Sequence, residues 1–85
     1  MAYRLYLRPA AERDLQWLAK EIASRVEKSI DRLREEPRPR GSKKLSGYAN
    51  EWRLRVGNYR ILYSVDDAKK EVLVARIAHR REAYR

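Results

Sequence analysis

An 85-residue chain supports one domain, residues 1–85, with one small core. The absence of cysteine excludes disulfides, thiolate catalysis and cysteine-based zinc sites; the single histidine leaves a metal site to carboxylates, and no close acidic cluster offers one. A net charge of +9 favours nucleic acid, an anionic membrane surface or an acidic protein as partner, without choosing among them.

The N-terminus, MAYRLYLRP, has no apolar signal core, and no stretch is long enough to span a membrane. A soluble, cytoplasmic protein is expected. Tyr3 to Leu7 alternates, with Tyr3, Leu5 and Leu7 on one side, and reads as a strand. Pro9 then suits the first turn of a helix, where its fixed φ fits and its missing N–H costs nothing. Ala11, Leu15, Leu18 and Ile22 form one apolar stripe, which predicts a first helix over about 10–22. Trp17 lies off that stripe, either packed at its edge or left for a partner protein. Ser24-Arg25-Val26-Glu27 has the form of a capping box, predicting a second helix to about Glu35 with Val26, Ile30 and Leu33 inward. Pro37 stops it. Two helices so briefly joined predict an antiparallel helical hairpin.

Residues 37–47, PRPRGSKKLSG, read as a loop with a short strand at about 43–45. Lys43 and Lys44 would stand at the rim of the arginine-bearing sheet face that follows, as solvated charges or as phosphate contacts. The stretch 52–65, WRLRVGNYRILYSV, organises the rest. Gly57-Asn58 between two β-type runs predicts a two-residue hairpin loop. Counting outward pairs Val56 with Tyr59, Leu54 with Ile61 and Trp52 with Tyr63 on an apolar face. The opposite face pairs Arg55 with Arg60 and Arg53 with Leu62. Opposed like charges destabilise a sheet. A polyanion on that face would reverse the sign, whereas splayed, solvated guanidinium groups are the alternative. Asp66 to Lys70 is a polar turn, and Glu71 to Ala78 a last strand. Apolar patterning places Leu73, Ala75 and Ile77 inward, with Arg76 and Arg80 joining the arginine face. His79, Arg80, Arg81, Tyr84 and Arg85 end the chain.

RNA cleavage by internal attack needs the 2′-hydroxyl deprotonated, the phosphorane charge stabilised and the 5′-oxygen protonated. Arginine serves the second need through bidentate contacts and the first poorly, because guanidinium resists losing a proton. His79 has the pKa for acid or base work, or is structural. Tyr84 offers stacking or a hydrogen bond. By themselves these residues describe an RNA or phosphate binder, with metal-free nuclease chemistry open to it.

The segments PRPRGSKKLSG (37–47), WRLRVGNYRILY (52–63) and IAHRREAYR (77–85), with AAERDLQWL (10–18), resemble the RelE/ParE superfamily of toxins, nearer its RelE branch. The resemblance covers essentially the whole chain. It implies an α+β fold: an N-terminal strand, an antiparallel helical hairpin, then a small antiparallel sheet packed on the helices. It implies a type II toxin that cuts mRNA on the ribosome without metal or cofactor. It also implies an acidic, RelB-like antitoxin that neutralises the basic face. Matched positions suggest Arg53 and Arg55 for two basic middle-strand residues, Arg60 for the phosphate-contacting arginine, Arg80 for the leaving-group acid and Tyr84 for the C-terminal tyrosine. Lys43, Lys44, Arg76, His79 and Arg81 would bind substrate around them. Arginine replaces the lysine of the best-known pattern at Arg55, and Tyr84 stands closer to Arg80 than in that pattern. A ParE-like toxin that inhibits gyrase without nuclease activity, and a non-catalytic RNA-binding module, are the other readings.

Overall fold

The structure is a computed structural model that describes residues 2–45 and 50–79. The elements run β1 (Arg4–Leu7), α1 (Pro9–Gln16), α2 (Lys20–Arg32), β2 (Ser42–Lys44), β3 (Glu51–Val56), β4 (Tyr59–Asp66) and β5 (Glu71–His79). The strands form one five-stranded sheet in the order β1-β5-β4-β3-β2. β1 lies parallel to β5 and every other pair is antiparallel, so the sheet is mixed.

The central hairpin has the expected register throughout: Val56 opposite Tyr59, Leu54 opposite Ile61, Trp52 opposite Tyr63, Arg55 opposite Arg60 and Arg53 opposite Leu62. Gly57 turns it with φ +59, while Asn58 keeps a negative φ. A positive φ at the first of two central residues is the II′ arrangement, whose twist matches the strands and which selects glycine there.

Two expectations about the helices need correction. The first helix ends at Gln16, not near residue 22, and the second begins at Lys20, so Ser24 lies inside α2 and is not its N-cap. The stripe read as one helix is shared between two. Ala11 and Leu15 belong to α1, while Ile22 joins Val26, Ile30 and Leu33 along α2. No glycine or proline marks the break. The ladder closes with tighter bonds from Trp17 N–H to the Asp14 carbonyl and from Leu18 N–H to the Leu15 carbonyl, each 3.2 Å. Ala19, in extended geometry, starts α2 without a side-chain cap. Packing on the twisted sheet, where α1 lies along β5, overrides local preference for a longer helix.

The core lies between the helices and one sheet face. Ala11, Val26, Ile30 and Leu33 meet Leu54, Ile61, Tyr63, Val65, Val72, Val74 and Ile77. Full burial of side chains such as Leu33 and Ile61 is worth about 1.5–3 kcal/mol each.

β5 carries a third correction. Leu62 faces Arg76 but the adjacent Tyr63 faces Val74, so Ala75 is the extra residue of a β-bulge. The bulge shifts the alternation by one. Val72 and Val74 are inward before it and Ile77 after it, in place of the expected Leu73, Ala75 and Ile77. A regular strand would bury either the valines or Ile77; the bulge buries both sets.

Candidate nucleic-acid interface

The sheet face away from the helices alternates with the core, so the residues that bury Leu54 and Ile61 on one side present Arg53, Arg55 and Arg60 on the other. Registers across four strands arrange two rows. Lys43, Arg53, Leu62 and Arg76 form one; Arg55, Arg60 and Ala78 form the next, nearer the hairpin turn. The opposite end of this face holds Glu51, Asp66 and Glu71. Arg4 is also at that end, opposite Glu71 and 3.5 Å from its carboxylate, so the face is polarised between a cationic cluster toward Gly57 and an excess of carboxylates at the far end.

Arg60 is the deepest of these cations, 6% exposed, between Arg55 and Ala78. A guanidinium does not escape burial by losing its proton. Its field is weakly screened, and an incoming phosphate would meet a fixed positive floor. Arg55 is exposed beside it, and Arg53 is half-buried. Gly41, Ser42, Lys43, Arg53 and Arg55 line a shallow concavity on this face. Gly41 needs its positive φ of +94 to start β2 there.

The structure brings Lys43 and Arg53, Arg55 and Arg60 together. Lys44 alternates to the other side, opposite Trp52. Arg76 belongs to the arginine face by register, yet its guanidinium binds Asp14, with Nε 2.8 Å from Oδ2. Asp14 Oδ2 also accepts the Ile77 backbone N–H at 2.8 Å, where β1 no longer covers the edge of β5. His79 is opposite Tyr59, on the helix side of the sheet, with the two rings edge-on at 5.3 Å. The thickness of the sheet therefore separates the one imidazole from Arg55 and Arg60. Arg80, Arg81 and Tyr84 lie outside the described residues. Among the described residues no group of three or more His, Asp or Glu side chains is placed to hold a metal.

A supporting cluster was not legible in the sequence. Arg38 clamps Asp67 with two bonds of 3.2 and 2.7 Å, and the Tyr3 hydroxyl donates to Asp67 at 2.7 Å. Arg38 also stacks over Trp52, 5.3 Å from the ring centroid. The Tyr63 hydroxyl donates to the Pro37 carbonyl at 2.7 Å. Together these tie the loop before β2 to the sheet, and so hold Lys43 beside Arg53. The hydrogen bond to Asp67 raises the Arg38 pKa, and the bonds from Arg38 and then Tyr3 hold the Asp67 carboxyl below its usual range. Burial pushes the Tyr63 phenol up to about 12. No local pattern announces contacts between residues 3, 38 and 67.

A small mixed sheet with helices on one face and a cluster of basic side chains on the other defines a small α+β protein with a basic sheet face. The ParE toxin family of type II toxin–antitoxin systems (parDE) matches residues 5–84. Toxin RelG of Mycobacterium tuberculosis is 35% identical across 100% of this chain and 99% of its own. The archaeal RelE–RelB complex of Pyrococcus horikoshii contains a chain with TM-score 0.85 and 32% identity, covering 98% of this chain and 100% of that one. A toxin–antitoxin complex of M. tuberculosis contains another, with TM-score 0.82 and 32% identity, covering 93% and 99%. The chain belongs to the RelE/ParE superfamily of type II toxin–antitoxin toxins.

Proposed function

We propose that this toxin is a ribosome-dependent endoribonuclease that cuts mRNA by attack of the 2′-hydroxyl on the adjacent phosphate and so inhibits translation. The observation that carries this reading is the gathering of Arg53, Arg55, Arg60 and Lys43 at one end of the face, with an excess of carboxylates over Arg4 at the other. In this reading Arg60 and Arg55 hold the scissile phosphate and stabilise the charge that grows on it. Arg53 and Lys43 fix the flanking backbone. Arg80 protonates the leaving oxygen and Tyr84 positions the base, both carried over by resemblance. His79 takes no part in proton transfer, because its ring is across the sheet. An arginine at position 55 is a poor general base, so the 2′-proton passes to a group outside this arginine set, including ribosomal RNA. The partner in the resting cell is an acidic, RelB-like antitoxin in the cytoplasm, in keeping with the RelE–RelB complexes among the similar structures.

The match to the ParE family favours a second reading, gyrase inhibition without nuclease activity. A cleavage map separates the two. Ribosomes programmed with a defined mRNA are mixed with wild-type protein or Arg60→Ala, beside free mRNA, and 5′ ends are read by primer extension. Cuts confined to the decoding site and lost in the variant are expected. No cuts from protein that still arrests growth would move the assignment to gyrase.

A further inference from the structure

The basic surface does not stop at the edge of the sheet. β2 begins only at Ser42, opposite Leu54, so the edge of β3 at Arg55 is uncovered. There a groove of about 200 Å³ opens between α2 and the sheet, lined by Ser29, Arg32, Pro39, Arg40, Leu54 and Arg55. Arg55 lines both this groove and the concavity on the arginine face. On α2, Arg25, Ser29 and Arg32 share a flank at i, i+4 and i+7. Arg25 reaches the hairpin turn, its guanidinium 3.9 Å from where a Cβ on Gly57 would lie. Among the described residues no carboxylate lines the groove, while Glu35 and Glu36 line a neighbouring concavity that shares Arg32, Pro39 and Arg40 with it.

We propose that this groove is a second phosphate site, holding the backbone of the same nucleic acid after it leaves the arginine face and bends round Arg55. The inference rests on the mRNA-cleavage reading above and adds its outer limit. Arg32 and Arg40 supply planar forks suited to phosphate oxygens. Ser29 supplies a hydroxyl donor, and Leu54 forms an apolar floor that cannot compete for the anion. Continuity through Arg55 favours one polyanionic strand over two separate acidic partners.

The test measures binding to 70S ribosomes carrying an mRNA with 2′-O-methyl groups across the decoding-site codon, which cannot be cut. Each phosphate contact contributes roughly 0.7–0.9 to the slope of log affinity against log salt. The double variant Arg32→Gln/Arg40→Gln should therefore lower the slope by about 1.5. The charge-matched pair Arg13→Gln/Lys20→Gln, away from the groove, should leave it unchanged. Arg32→Lys/Arg40→Lys should keep most of the slope, and thermal melts should agree among all variants because these side chains are exposed. An unchanged slope in the groove variant, with wild-type protein still binding, would overturn the site and leave the groove to an acidic protein partner. Equal losses in both glutamine pairs would also overturn it, as diffuse attraction. Wild-type protein that fails to bind ribosomes at any salt would remove both this inference and the function on which it rests.

Discussion

The two faces of the central hairpin share one backbone and one register but answer to different demands. On the helix side, Leu54, Ile61, Tyr63 and Val65 are buried against α2 and the rest of the core. On the other, Arg55 stands opposite Arg60 and Lys43 opposite Arg53, an arrangement that costs stability. The apolar face meets its partners within the chain, so its residues are explained by folding alone. The arginine face places like charges directly opposite each other, which folding alone does not reward. Where stability and local chemistry disagree, the site is expected to carry function.

That contrast can be broken by substitution. The largest expected effect is on the arginine face: Arg60→Ala should lower ribosomal cleavage by about 10²–10³-fold, the usual loss when one donor to a developing anion is removed. Urea melts should show a native fold, and Arg60→Lys should recover only part of the rate, having the charge without the fork. On the helix side, Leu33→Ala should instead cost about 2–5 kcal/mol of stability through a cavity. Its cleavage per folded molecule should match wild type. Equal stability losses from Arg60→Ala and Leu33→Ala would erase the distinction between the faces.

Smaller effects sharpen it. Tyr63→Phe removes the bond to the Pro37 carbonyl and should cost about 1 kcal/mol at neutral pH. The wild-type phenol titrates near 12 when folded and near 10 when unfolded. Its contribution is present below pH 10 and is lost as pH rises toward 12; the phenylalanine variant should lack that alkaline loss in melts across the window. Asp67 has the opposite sign. Its folded pKa is depressed, so its contribution is present above the ordinary value of 3.8 and is lost as pH falls through the lower, folded value. Asp67→Asn should flatten the acid limb of stability and loosen the loop before β2, seen as faster amide exchange around Lys43. Trp17→Ala should have the smallest effect, within about 0.5 kcal/mol, because the ring is 86% exposed. A larger loss would place Trp17 in the core after all.

The hairpin was legible in the sequence because strand pairing across a two-residue turn is local: once Gly57-Asn58 is located, every opposite pair follows by counting. The arginine face came with it, since a period of two carries each side chain to a known side. The apolar stripe residues of the helices were legible for the same reason, although their division at Trp17–Ala19 was not, because no capping residue marks it. What only the tertiary structure decided depends on contacts remote in sequence. The bulge at Ala75 follows from fitting Val72, Val74 and Ile77 to one core. The parallel pairing of β1 with β5 and the capture of Arg76 by Asp14, 62 residues away, need the folded chain. So does the clamp of Arg38 on Asp67. Local periodicity determined which side chains share a face; long-range packing determined what each face is held against, because its energy belongs to pairs that the linear order does not bring together.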